Sequence, residues 1–390
     1  MDRRTLLKSA LYAAPLFTAG RLLALPAQGA PRLLVVFLRG AYDAANIVVP
    51  ASSSFYQAAR PGIAVPKERL LMLDGDWGLH PALADSLWPL WQKKQAAFVP
   101  FAGTDDLSRS HFQTQDTIEM GQAVGASRNY RSGFLSRAAQ TIAGEKPIAF
   151  TAQLPLVFRG GDAVPNIALE QATRRNISSR NADLIAAMYE GQELAPAVAQ
   201  GFAVRQEVYD AISQEMRAAN RDAVSPRGFE LAAQRIGVLM RDRYNLGFVD
   251  VGGWDTHVNQ GGLEGYLPNR IGELGRGLNL LAQTLGERWN DTIVVVVSEF
   301  GRTFRENGNR GTDHGHGSTY WVLGGGVRGG RIAGRQAAIT EASLHQDRDL
   351  PVLNDYRSLI GGILQRGYGL NTAQMQAIFP AAPPQDLALV

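Results

Sequence analysis

Three of the chain's six histidines lie between Asp255 and His316, interleaved with the carboxylates of Asp255, Glu299 and Asp313. The motifs read Gly252-Gly253-Trp254-Asp255-Thr256-His257, Ser298-Glu299-Phe300-Gly301-Arg302-Thr303 and Gly311-Thr312-Asp313-His314-Gly315-His316-Gly317. Oxygen and imidazole donors of this kind suit a divalent metal: zinc, manganese, magnesium or calcium. In Asp313–Gly317 the alternating glycines leave room for both rings to approach one point; the plainer alternative is a glycine-rich surface loop with solvated histidines. Asp255 and His257 are two residues apart, which puts both side chains on one side of an extended segment. A helix amino-cap at Asp255 or Thr256 would use the same residues structurally. Glu299 follows the run Ile293–Val297 with only Ser298 between, so it belongs at a strand's carboxyl end. Arg302, three residues on, is its candidate ion-pair partner.

Two earlier segments carry further candidates. Arg39 and Asp43 follow the apolar run Arg32–Leu38 and are suited to anion and metal binding, against a turn held by Asp43 and Asn46. Ser108-Arg109-Ser110-His111 opens a helical pattern after the run Ala96–Phe101. A serine there is either a cap or a nucleophile whose developing charge the helix dipole stabilises. Ser110 is the better placed of the two, with Arg109 and His111 as anion-handling neighbours. His80, before Pro81, reads as part of a helix cap, and His345 as solvated.

The elements that must position these residues alternate. Apolar runs at Arg32–Leu38, Ala96–Phe101, Ile148–Thr151, Gly247–Val251, Thr292–Val297 and Tyr320–Leu323 fit strands covered on both faces. Helical patterns span Pro81–Gln95, Phe112–Gly121, Gly133–Ala143, Ala182–Glu190, Gln206–Ala219, Phe229–Tyr244 and Leu267–Trp289. The alternation predicts an α/β fold with a mostly parallel sheet and ligands beyond the carboxyl ends of its strands. Residues 160–245 carry no clear strand and read as a helical insertion or cap. The Ala/Pro-rich tail from Pro380 to Val390 is expected to be loosely attached.

Composition narrows the class. At 390 residues, 45% hydrophobic and 19% charged, the chain is an ordinary globular sequence. Its +3 charge resides in residues 1–30, where Arg3, Arg4, Lys8 and Arg21 oppose Asp2, leaving 35 of each sign of the 39 basic and 36 acidic side chains. Nothing in a neutral body suggests nucleic-acid binding, which needs a basic face. Asp2–Lys8 fits a twin-arginine export signal, followed by an apolar segment broken by Pro15 and Arg21 and by small residues suited to cleavage. Residues 1–30 are therefore expected to be removed, leaving 31–390 as a single exported domain, periplasmic or secreted, with no stable membrane span. The absence of cysteine excludes disulfides and thiolate chemistry.

Six ordered motifs make the chain resemble the DUF1501 family of exported bacterial proteins. They are Phe37–Gly40 with Asp43 and Asn46, Gly78–Pro81, Ser108–Phe112, Gly253–His257, Ser298–Thr303 and Asp313–Gly317. The resemblance implies a remote branch of the alkaline phosphatase and sulfatase superfamily: a three-layer α/β/α sandwich that hydrolyses phosphate or sulfate esters with bound metal. It further implies metal ligands among Asp43, Asp255, His257, Glu299, Asp313, His314 and His316, with Ser110 as nucleophile and Arg109, His111 and Arg39 around the transferred group. Substrates would be small-molecule or glycan esters, and a protein encoded beside some family members is a possible partner. Arg39 stands where the superfamily usually ends its first strand in aspartate, and Glu299-Phe300 replaces an Asp-His pair. These departures support a second reading, a non-catalytic glycan- or protein-binding protein that retains the fold.

Overall fold

The computed structural model describes residues 31–169, 185–203 except 186 and 193, and 228–390. The expected export signal and the helix expected at Gln206–Ala219 lie outside the described residues, as do parts of the helix expected at Ala182–Glu190 and of the expected insertion.

The strands are β1 (Arg32–Leu38), β2 (Val48–Pro50), β3 (Leu71–Met72), β4 (Trp77–Leu79), β5 (Ala96–Gly103), β6 (Pro147–Ala149), β7 (Leu246–Val251), β8 (Thr292–Ser298), β9 (Ser318–Leu323), β10 (Arg331–Ile332) and β11 (Asn354–Asp355). Eight form the main sheet, in the order β10-β5-β9-β8-β1-β7-β6 with β11 also on β5. All pairs in it are parallel except those of β9, which runs antiparallel to both β8 and β5. A small antiparallel sheet, β2-β4-β3, had no counterpart in the sequence reading. Its two- and three-residue strands are too short for a periodic signal.

Alternation along β1 divides the core. Leu34, Val36 and Leu38 face one side, with α1 (Ser54–Ala59), α2 (Leu87–Gln92), α5 (Phe229–Asp242) and α6 (Tyr266–Leu285). Leu33, Val35 and Phe37 face the other, with α3 (His111–Met120), α4 (Phe134–Thr141), α7 (Tyr356–Tyr368) and α8 (Thr372–Ile378). Helices thus cover both faces of a mostly parallel sheet, the three-layer α/β arrangement expected. Both sides of every central strand are buried, which is why these strands are continuous apolar runs.

Two expectations require correction. Pro81–Gln95 is not one helix but a 3-10 turn at Pro81–Leu83 followed by α2. Pro89 cannot share a helix with residue 85, whose carbonyl its ring would strike, so the helix restarts at Leu87. The tail is also well held: Leu389 and Ala382 are buried, and the Gln385 amide donates to the Ser358 carbonyl at 2.8 Å. It closes over α7, whose amino end is capped by Asp355.

Register carries the fold to the site. Leu38 aligns with both Val251 and Ser298, so β1, β7 and β8 end together. The segments that follow, from Arg39, Gly252 and Glu299, therefore leave one edge of the sheet. β5 delivers Thr104–Ser110 and α3 to the same edge, where Ala102 pairs with Ser318 at the start of antiparallel β9.

Candidate metal centre

Three imidazoles meet beyond this edge. His111 Nε2 lies 2.9 Å from His314 Nε2, and His257 Nε2 lies 3.1 Å from that same atom. Asp255 completes the group: Oδ1 is 2.8 Å from His257 Nε2 and 3.3 Å from His314 Nε2, and Oδ2 is 3.5 Å from His111 Nε2. Ligand atoms of His111, Asp255 and His314 all fall within 4.8 Å of one another.

The opposite nitrogen of each ring fixes its proton. His314 Nδ1 faces the Arg109 carbonyl at 2.9 Å, which can only accept. His111 Nδ1 faces Glu299 Oε1 at 2.7 Å, and His257 Nδ1 faces Asp313 Oδ1 at 3.1 Å. Burial works to raise both carboxyls. At Glu299 the bonds from His111, Gln115 and the Gly40 amide outweigh it, and at Asp313 those from Asn307 and His257 do. Both are held below the ordinary carboxylate value and act as acceptors. Each neutral ring then carries its proton on Nδ1, and three Nε2 lone pairs point at one another and at a carboxylate. Such crowding of electron pairs favours a positive charge between them, and the donor set fits a divalent metal backed by oriented outer partners. Without one, a proton on His111 shared with His314 relieves the conflict. The Glu299 bond raises the His111 pKa, while burial lowers that of His314.

Local sequence explains the approach. Gly40 turns with φ +115°, and a Cβ on it would lie 2.8 Å from the Asp255 amide nitrogen; its own N–H donates to Glu299 Oε1 at 2.8 Å. Arg109 adopts φ 50°, unusual for a residue with a side chain, and this turns its carbonyl to His314. Ser110 is the amino-cap residue of α3, but its hydroxyl makes no capping bond. Ser108 Oγ, by contrast, lies 3.3 Å from both Thr114 Oγ1 and the Ser110 amide.

The expected ligand residues separate into three positions. Asp255, His257 and His314 stand in the group. Glu299 and Asp313 stand behind it, each against a histidine Nδ1. Asp43 and His316 are elsewhere. Asp43 is fully buried, 2.5 Å from Arg60 Nη1 and 2.6 Å from Gln260 Nε2. Arg60 also donates to the carbonyls of Thr303 and Phe304. The pair thus ties the first loop to the segment after Glu299. The His316 ring packs against His345, 5.0 Å between centroids, and burial lowers its pKa to about 4. His345 is therefore not solvated as expected; its Nε2 is buried and unpartnered. His80 caps the turn after it, accepting from the Ala82 amide at 3.0 Å.

The arginines also differ from expectation. Arg302 pairs not with Glu299 but with Asp255, Nη1 to Oδ1 at 2.7 Å. Burial alone would raise the Asp255 carboxyl, but Arg302 outweighs it and keeps the group acidic. Arg39 donates to Asp250, Gln115 and Glu119, and Arg109 to Asp349 and Gln346. His111 was read as an anion-handling residue, yet it stands in the donor group. Its place at the first turn of a helix leaving β5 was visible in the sequence; its partners, far along the chain, were not.

Fold and site define an α/β protein with a candidate metal centre at the carboxyl edge of its sheet. The chain belongs to the DUF1501 family of proteins of unknown function, which it matches over residues 30–379. No curated protein matches the sequence. Among solved structures it is similar to an alkaline phosphatase superfamily protein from Vibrio parahaemolyticus, at 12% identity and a TM-score of 0.36, covering 76% of this chain and 61% of that one. It is also similar to the lipooligosaccharide phosphoethanolamine transferase A of Neisseria meningitidis, at 10% identity and a TM-score of 0.40, covering 78% of this chain and 49% of that one. A further similarity is to the alkaline phosphatase of the Antarctic bacterium TAB5, at 11% identity and a TM-score of 0.31, covering 76% and 92%. The chain spans less than two thirds of the length of the first two. Among the described residues no helix is long and apolar enough to cross a membrane.

Proposed function

We propose that the protein is an exported, metal-dependent hydrolase of phosphate or sulfate esters, with Ser110 as nucleophile. The observation that carries this reading is the convergence of three imidazole lone pairs and Asp255 next to a serine with an uncapped hydroxyl. His111, His257, His314 and Asp255 would hold the metal, which supplies Lewis-acid polarisation of the ester and a lowered pKa for a coordinated hydroxyl. Ser110 Oγ attacks the phosphorus or sulfur as its proton passes to solvent, the ester bond to the leaving oxygen breaks and that oxygen takes up a proton from solvent, and water later cleaves the seryl ester and restores the serine hydroxyl. The amino end of α3, which carries His111, favours negative charge through its first-turn amides. Glu299 and Asp313 hold two of the rings in the tautomer that presents Nε2. Export rests on the Arg3-Arg4 motif and belongs to the same proposal.

A second reading, a non-catalytic glycan- or protein-binding protein, is favoured by one observation. Arg39 and Arg109, expected to hold the transferred anion, are each committed to carboxylates.

Metal analysis of the exported protein, followed by a screen of phosphate mono- and diesters and sulfate esters, tests both. The first reading expects stoichiometric metal, lost in His314→Ala, and turnover abolished by Ser110→Ala with metal retained. Metal without turnover of any ester, and no effect of Ser110→Ala, favours the second.

A further inference from the structure

Beside the imidazoles lies an open cleft of about 380 Å³, whose lining includes Arg39, Trp254, Asp255, His257, Val258 and Tyr266. Asp255 and His257 belong to both the cleft and the donor group, so an ester held at the centre would extend one substituent into this space. What its walls offer identifies that substituent.

Most of the polar side chains lining the cleft already hold partners within the protein. Three of the five Arg39 N–H groups donate, to Asp250, Gln115 and Glu119, and two of those partners are carboxylates that offset its charge. Thr256 Oγ1 donates to Gln260 Oε1 at 2.9 Å. Tyr266 Oη donates to the Gly253 carbonyl at 3.1 Å. Of the apolar side chains Trp254 is buried, but two face solvent: Val258 is 60% exposed and Tyr266 49%. Exposed apolar residues directly follow two of the three histidines, Val258 after His257 and Phe112, 83% exposed, after His111. Large hydrophobic side chains exposed beside a polar site mark a binding surface more often than an isolated exposed residue does. Beyond the two remaining Arg39 N–H groups a sugar ring would meet few uncommitted donors or acceptors here, and most of its desolvated hydroxyls would go unpaired. An alkyl or aryl chain would cover Val258 and the Tyr266 ring at no such cost.

We infer that the cleft beside Asp255 and His257 binds the apolar substituent of the substrate, which is an ester of an aliphatic or aromatic alcohol. The inference rests on the ester-hydrolase reading, whose head-group site it adjoins.

The test is calorimetric titration of metal-loaded protein with methyl-, butyl- and octylphosphonate and with glucose 1-phosphate. Each methylene, about half buried in an open cleft, should tighten binding about twofold, so butylphosphonate is expected to bind roughly tenfold tighter than methylphosphonate. Val258→Ser and Tyr266→Ser, both at exposed positions, should reduce that ratio to about twofold and leave methylphosphonate affinity unchanged. Equal affinities for methyl- and butylphosphonate, or tighter binding of glucose 1-phosphate than of butylphosphonate, would overturn the inference. Failure of every phosphonate and of glucose 1-phosphate to bind would count against the head-group reading instead. The cleft is then tested without a head group, by titrating butan-1-ol and following the Val258 methyl and Tyr266 ring resonances. Shifts confined to those residues support the inference, and their absence rejects it.

Discussion

The Arg302 guanidinium stands 2.7 Å from Asp255 Oδ1, and the arginine side chain is fully buried while the carboxylate is half exposed. The pair ends a hydrogen-bonded chain that begins in the first loop. Gln260 Nε2 donates to Asp43 at 2.6 Å, and Gln260 Oε1 accepts from Thr256 and Thr312 at 2.9 and 3.0 Å. Thr312 Oγ1 in turn accepts from Arg302 Nε at 3.2 Å. The Asp43–Arg60 pair is thereby linked to the carboxylate of the donor group.

Gln260 is fully buried in the middle of this chain. Gln260→Leu leaves Asp43, Thr256 and Thr312 short of partners and should cost about 1–3 kcal/mol of stability. By loosening Arg302, it should also weaken metal binding about tenfold, the low end for outer-shell changes. Urea unfolding and metal titration read the two effects separately; lost stability with unchanged affinity would detach Gln260 from the centre.

Glu299→Gln keeps the shape of a fully buried side chain but removes the charge that orients His111. Metal affinity should fall about 10- to 100-fold, with far-ultraviolet circular dichroism unchanged. An unaltered affinity would show that His111 does not depend on Glu299 for its tautomer.

Asp43 separates a structural role from a ligand role. Asp43→Ala strands Arg60, itself fully buried, without its counter-charge. The loss expected on breaking a buried pair is about 3–5 kcal/mol. The folded fraction should nonetheless bind metal with the stoichiometry of the parent. Loss of metal from protein shown to be folded would return Asp43 to the ligand set.

Glu145 supplies a pH dependence remote from the centre. Burial, opposed by Arg32, raises its carboxyl to about 7 from an ordinary 4.5, and its Oε2 has no partner. The folded state therefore binds this proton more tightly than the unfolded state. Its contribution to stability is fully present below about pH 4.5 and is lost as pH rises toward 7. Glu145→Gln should be the more stable protein at pH 8, by on the order of 2–3 kcal/mol, and should flatten the curve between pH 4.5 and 7. Parallel stability curves for the two proteins would refute it.

Much of the fold was legible in the residues alone. The five consecutive β-branched residues of Ile293–Val297 and the apolar run of β1 announce strands buried on both faces, because only such strands lack a polar side. Glycines and polar motifs at the ends of those runs located the candidate site at one sheet edge. Asp255, His257 and His314 needed no more than their types and spacing to be singled out. The antiparallel course of β9 and the small sheet of β2–β4 were not legible, since strand direction and short pairings depend on partners distant in sequence. Nor could the sequence rank the carboxylates. Glu299, Asp313 and Asp43 have the same chemistry as Asp255, yet the fold puts two of them behind histidines and buries the third against Arg60. Which donor faces the centre is set by where β1, β5, β7 and β8 end relative to one another, a relation that exists only once the sheet has assembled. His111 meets His314 across 203 positions of chain for the same reason.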